Sequence, residues 1–283
     1  MAEAKTIAVP SLHLVDESFD PKKSNIYHLS ILTEEKSLTY AVLDSETNKY
    51  VVLHSSIPIA RGEEVLASLQ GHGAASFRSV SCAIAHSKFT LVPASIYDEE
   101  KKESLLGFSH PEQGGYLFSN SLHNPEAKIV FSVPSVLANM IRGYFPNVKF
   151  IHSSSTFLQG LLAEHRSHAG KKVFADFHST FLSITILEGR ELLFCNAFDF
   201  QSPEEIAYYV LFVYEQLGLN TEETELVISG SIEKTAPEHA LLYTYIRNMK
   251  FAKLPDSFKY SYKFEEIQGH RFFSLFNQYL VTK

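Results

Sequence analysis

A chain of 283 residues is long enough for about two domains that each bury a core of their own. Its net charge of −7, with acids and bases mixed along the whole length, leaves no basic stripe and argues against nucleic-acid binding through phosphate neutralisation. The two cysteines, Cys82 and Cys195, stand alone in strand-like runs, which excludes a disulfide-stapled scaffold and fits small buried apolar residues in a reducing compartment.

The first 24 residues mix charge, proline and short apolar pieces and read as a loosely ordered lead-in. They hold an early acid and no continuous apolar core, and no stretch elsewhere reaches the length of a membrane span, so the protein is read as soluble and cytoplasmic. From residue 26 the pattern sharpens. Strands are expected over 26–32, 38–43 and 50–54, with a polar turn over 45–49, then a helix over 62–69 and a strand over 80–85. A strand over 89–92, a charged helix over 97–106 and a loop over 107–115 follow. Next come a strand over 129–133, a helix over 134–144 opened by Pro134, a strand over 148–152 and a helix over 156–168.

From residue 171 the order of three strands, a helix and a strand returns, ending near residue 232. The strand over 181–187 is apolar on both faces and should be covered on both sides. Its unit's helix, over 202–217, is framed by chemistry: Ser202 and Glu205 form a capping box, Pro203 takes the first helical position and Gly218 supplies the left-handed stop. Ile206, Val210, Val213 and Leu217 make its inner stripe, while Tyr208, Tyr209, Leu211, Phe212 and Tyr214 leave little polar face. This helix is therefore expected to be central and buried nearly all round. A helix over 237–248 and an aromatic tail with a helix over 270–279 complete the chain. The same unit in each half points to an internally duplicated, two-domain α/β protein.

The run 149–187, with its strand, its leucine-rich helix and the segment VFADFHSTFLSITIL, resembles the entry to the second domain of actin-like ATPases. There a strand carries an Asp, a glycine turn cradles phosphate and a second strand leads away; Asp176 falls where that acid belongs. The segment ELVISGSIE resembles the strand and glycine pair that contact adenosine, here Gly230 and Ser231. More closely, NAFDFQSPEEIAYYVLFVYEQLGLN, LVISGSIEK and YIRNMKF resemble a domain of unknown function from Bacteroidetes-type bacteria. The resemblance implies a two-domain actin-like ATPase fold, the duplicated ribonuclease-H-like arrangement, divided into 1–150 with its lead-in and 151–283. It brings no established activity.

The candidate nucleotide residues are then Asp176, His178, Ser179, Thr180, Gly230 and Ser231. A turn that admits phosphate to its backbone N–H groups wants glycine, and His178 and Ser179 stand where glycine is needed. A plain hairpin is the expectation; a non-standard phosphate turn in which Ser179, Thr180 and a charged His178 donate is the alternative. The matching first turn, 33–37, holds Glu34 and Glu35, which would repel phosphate, and reads as a solvated hairpin. Glu164, His165 and His168 lie within one helical turn, but with Arg166 beside them and no third ligand they read as a solvated helix face rather than a metal site. No zinc, P-loop or nucleophile-elbow motif occurs. The expectation is a cytoplasmic binding or scaffold protein with a degenerate nucleotide site and no cofactor, not an enzyme, working through a protein partner or self-association. The alternative is an ATPase or phosphotransferase that binds ATP with Mg²⁺.

Overall fold

The structure, a computed structural model, describes residues 11–70, 76–111, 114–165 and 170–282. Its first half opens with a short strand, β1 (His13–Val15), and three antiparallel strands, β2 (Tyr27–Thr33), β3 (Ser37–Asp44) and β4 (Lys49–Pro58). Helix α1 (Gly62–Gln70) and strand β5 (Ser79–Ile84) follow. The β3–β4 turn is set locally: Asp44 Oδ1 accepts from the N–H groups of Glu46 and Thr47, and Asn48 takes the left-handed φ of 55° that asparagine tolerates. An excursion of β6 (Phe89–Pro93), α2 (Lys102–Ser109), β7 (Tyr116–His123) and β8 (Glu126–Val133) builds a separate antiparallel sheet in the order β6-β8-β7. Strand β7 has no counterpart among the strands read from sequence, because YLFSNSLH lacks a clean alternation and is only half-buried along most of its length. Helix α3 (Ser135–Tyr144) and strand β9 (Lys149–His152) then return to the first sheet.

Helix α4 (Ser153–Glu164) leads to the second unit: β10 (Lys171–Phe177), β11 (Phe181–Glu188), β12 (Glu191–Asp199), α5 (Pro203–Gln216), β13 (Leu226–Gly230), α6 (Pro237–Tyr245) and β14 (Met249–Phe251). The tail adds β15 (Lys259–Tyr260), α7 (Phe273–Phe276) and α8 (Gln278–Thr282). The first sheet contains the order β4-β3-β2-β5-β9 and the second is β12-β11-β10-β13-β14. In both, the first three strands are antiparallel and the last two run parallel to the first. The repeated unit is thus present in two separate mixed sheets. Strand β9, which spans residue 150, belongs to the first sheet, and the tail strand β15 joins that sheet beside β4.

Alternation sorts the core. On the first sheet Leu29, Ile31, Tyr40, Val42 and Cys82 pack with α1 and α3, while Ala41, Leu43, Tyr50 and Leu53 meet Phe258, Phe264, Leu275 and Phe276 of the tail. A buried polar knot fixes that tail: Gln278 Nε2 donates to Ile31 O at 3.0 Å, Ser81 Oγ donates to Gln278 Oε1 at 2.8 Å, and both ring nitrogens of His28 meet serine hydroxyls. Burial pushes the His28 pKa down to about 3, so its imidazole is neutral.

The central helix is α4, not the helix expected from sequence. Nine of the twelve residues of α4 are buried, including Ser153, Ser154, Ser155 and Thr156, and Phe157 and Leu158 share one core with Phe174 of the second sheet. Helix α5 keeps its Ser202 cap, Ser202 Oγ accepting from Glu205 N–H, while Glu205 Oε2 reaches back one residue further to accept from Gln201 N–H, and Gly218 has φ +62°. It is one-sided, however. Ile206, Val210 and Val213 are buried against the second sheet, but Tyr208 is 62% exposed and Phe212 40%. Helix α4 also begins three residues earlier than its apolar pattern predicts, because its first turn is a buried serine run. Helix α6 stops at Tyr245, three residues short of the expected end, and residues 249–251 form the edge strand β14. Among the described residues no helix is long and apolar enough to cross a membrane.

The close approach of α4 to the tail rests on Gly160. A Cβ there would overlap the side-chain amide of Asn277, which is held by its donation to Phe273 O at 3.0 Å. Alanine gains about 1 kcal/mol over glycine in an open helix, whereas overpacking a core costs about 1–3 kcal/mol. Gly160→Ala is therefore expected to lower the urea-unfolding free energy by up to about 2 kcal/mol. A raised free energy would contradict this packing.

Candidate functional site

Two hairpin turns, one from each sheet, face each other. The β2–β3 turn brings Glu34, its N–H donating to Ser37 O at 2.9 Å. The β10–β11 turn brings His178, whose N–H donates to Phe181 O at 2.9 Å. Between them His178 Nδ1–H donates to Glu34 Oε1 at 3.0 Å, and His178 Nε2 lies 3.3 Å from Asp176 Oδ2. The side chains of His178 and Asp176 are 5% and 3% exposed and that of Glu34 is 18%. This placement overturns the reading of the first turn as solvated for Glu34; Glu35 and Lys36 are exposed.

An imidazole with a carboxylate at each nitrogen needs a proton on both. Burial pushes the His178 pKa down, but Asp176 and then Glu34 outweigh it and raise it to about 9. The ring also lies flat on Phe181, with centroids 4.2 Å apart and planes 10° from parallel. Asp176 is further satisfied by Ser229 Oγ, which donates to Oδ1 at 2.9 Å, and by Ser274 Oγ of α7, which donates to Oδ2 at 2.8 Å. The result is a buried clasp of carboxylate, imidazolium and carboxylate that joins the two sheets and the tail.

The space beside the clasp is a cavity of about 80 Å³. Of the residues expected from sequence, Asp176, His178, Gly230 and Ser231 line it; Ser179 and Thr180 are exposed at the hairpin tip, outside the lining. Gly230 has φ +82°, and a Cβ there would overlap Phe177 O, to which Ser231 N–H donates at 2.7 Å. The close approach that glycine allows is thus used by the chain's own backbone. On the opposite wall Ser55 and Ser56 sit where β4 slips register against β3, and Ser56 takes φ +58°, uncommon for a residue other than glycine. Arg271, held by Glu233 at 3.4 Å, closes the rim.

Ser229, Ser274 and Arg271 escaped the sequence reading, as did the pairing of Glu34 with His178. Glu34 is 144 positions from His178 and Ser274 is 98 from Asp176, so no local motif could mark them. The helix-face reading of Glu164 and His165 is also corrected. Burial raises the Glu164 pKa to about 7, with Asp256 adding to the rise, and His165 packs on Phe174 at 4.8 Å. His168 lies outside the described residues. Among the described residues no group of three or more His, Cys, Asp or Glu is placed to hold a metal ion.

A family model described as "Protein of unknown function (DUF3822)" matches residues 16–249. No curated protein matches the chain. A Bacteroides thetaiotaomicron protein with an actin-like ATPase fold and unknown function superposes with a TM-score of 0.73 and 22% identity, covering 83% of this chain and 93% of that one. A chain of the PilM–PilN type IV pilus biogenesis complex gives a TM-score of 0.55 at 13% identity, over 89% and 97% of the two chains. The ethanolamine utilization protein EutJ from Carboxydothermus hydrogenoformans gives 0.50 at 7% identity, over 95% and 92%. At such identities the likeness fixes the fold, and the fold is that of the actin-like ATPases.

The clasp makes stability depend on pH in one direction. A histidine whose folded pKa is about 9 stabilises the fold fully below its ordinary value of 6.5, and that contribution is lost as pH rises through 9. The unfolding free energy is expected to fall by roughly 1–3 kcal/mol between pH 6.5 and 9.5. In His178→Gln that fall should be much smaller over the same range. Parallel profiles for the two proteins, measured by urea unfolding, would contradict a charged His178.

Proposed function

Because the chain belongs to the DUF3822 family of unknown function and carries the actin-like ATPase fold, we propose that it is a cytoplasmic binding or scaffold protein whose nucleotide site has degenerated. The observation that carries this reading is the clasp. The two turns that in an actin-like ATPase would oppose each other across a triphosphate are here locked to each other by Glu34, His178 and Asp176. A phosphate entering between them would meet two carboxylates already satisfied by an imidazolium and two hydroxyls. It would also find no glycine turn to offer backbone N–H groups. The residues present do not fit a magnesium–nucleotide.

Size supports the same reading. Pockets for small organic ligands run to about 300–1,000 Å³, and the space beside the clasp is about 80 Å³. A role in binding protein draws support from α5, whose outer face presents Tyr208 stacked on Phe212 at 5.9 Å, between Glu204 and Glu215. Exposed aromatic side chains of this kind supply much of the energy of protein interfaces. The PilM–PilN neighbour offers a parallel, a chain of this fold found within a protein complex.

A ligand stabilises a folded protein in proportion to its occupancy. Millimolar ATP with Mg²⁺ is expected to leave the melting temperature unchanged within about 0.5 °C, since binding at a hundred times Kd would add about 2.7 kcal/mol. A shift of several degrees in the wild type that vanishes in Asp176→Asn, with the variant still cooperatively folded, would overturn the scaffold reading in favour of an ATP-binding one.

A further inference from the structure

The first sheet carries a second and larger cavity, lined by other residues than the space beside the clasp. Helix α1 and the outer strands β1, β3 and β4 enclose about 380 Å³ between them. This volume falls at the lower end of the range of about 300–1,000 Å³ typical of ligand pockets.

Register gives the cavity a polarity. On one face of the sheet, His13 pairs with His54 and His54 with Tyr40, forming a polar rung across β1, β4 and β3. The next rung on the same face is Val15, Val52 and Val42. All six residues line the cavity, and Val65, Leu69 and Phe77 extend its apolar wall.

The polar end is rich in donors. His13 stacks on His54 at 4.5 Å, and the Tyr40 ring meets His54 edge-on at 5.4 Å. Tyr40 is 6% exposed, yet among the described residues nothing hydrogen-bonds to its hydroxyl. His54 likewise has no hydrogen-bond partner for its ring nitrogens among the described residues, and the Arg61 guanidinium lies close enough to act on it electrostatically. The one carboxylate in the lining, Glu64, is already engaged by Arg61 through bonds of 3.1 and 3.2 Å. The Tyr40 hydroxyl and the neutral His54 ring each offer a donor as well as an acceptor, and Arg61 donates only, so an acceptor-only head above the apolar floor finds a donor on each of the three.

We propose that this cavity binds a small amphipathic carboxylic acid, its carboxylate at the Tyr40–His54–Arg61 end and its apolar body along Val15, Val42 and Val52. This inference does not depend on the state of the nucleotide site. The carboxylate accepts from the donors of the polar rung and the apolar body covers the valine rung, so head and body are each matched by one rung of the sheet.

Titration calorimetry on the full chain tests it with probes that share one body and differ in the head: decanoate, decylamine and decanol, each below its micelle concentration, with 4-phenylbutyrate as a second acid. Saturable binding of decanoate is expected, at least tenfold tighter than decylamine or decanol. Arg61→Ala should weaken it about tenfold and Tyr40→Phe several-fold. Val52→Phe, which fills the floor, should abolish it, and Val65→Phe on α1 does the same from the other side should the first variant fold poorly. Equal binding of the amine or alcohol would overturn the carboxylate assignment. No saturable binding of either acid, or binding unmoved by the floor-filling variants, would overturn the site.

Discussion

A buried histidine set between two carboxylates links the two halves of this protein. His178 keeps both ring nitrogens protonated because Glu34 and Asp176 stand against them, and each carboxylate comes from a different sheet. Taking these charges out of water is costly, and such a cluster survives only where the remaining lone pairs are satisfied. Ser229 and Ser274 meet that condition at Asp176. Since Ser274 belongs to α7, the tail is drawn into the same network, and the cleft, the second sheet and the C-terminal helices become one mechanical unit. The comparison with His28 shows that environment decides the charge: His28 is also fully buried, but it faces serine hydroxyls and is neutral.

Around this clasp the packing follows from side-chain size. Helix α4 lies between the sheets because its exposed-looking residues are small. Ser153, Ser154 and Ser155 are buried, Gly160 leaves room for the Asn277 side chain, and Phe157 and Leu158 reach the core shared with Phe174. Helix α5, larger and more aromatic, is relegated to the outside of the second sheet, where one face is buried and the other offers Tyr208 and Phe212 to solvent. The chain thus combines the actin-like ATPase fold with two facing turns joined by Glu34, His178 and Asp176.

Much of the fold is legible in the sequence because it is encoded locally. The strand-strand-strand-helix-strand order repeats in each half, the Ser202 cap on the Glu205 N–H forms as read, and the stop at Gly218 adopts its left-handed φ. What escapes is non-local. The partner of His178 lies in the other half of the chain, and a polar residue in a turn gives no sign of whether its charge will meet water or an imidazolium. Hydrophobicity misjudged the two helices in opposite directions, reading an aromatic surface as core and a serine run as loop. The polar and apolar rungs of the second cavity exist only once β1, β4 and β3 are in register, since His13, Tyr40 and His54 are unremarkable along the sequence.

The account turns on the protonation of His178, and nitrogen NMR reads it directly. With ¹⁵N-labelled histidine at pH 7.5, one ring should show both nitrogens at imidazolium shifts, with slowly exchanging protons on each, and that signal should be missing from His178→Gln. Were His178 found to be a neutral tautomer at this pH, with one bare nitrogen facing a carboxylate, the clasp would not exist as described and the cleft would not be closed by charge.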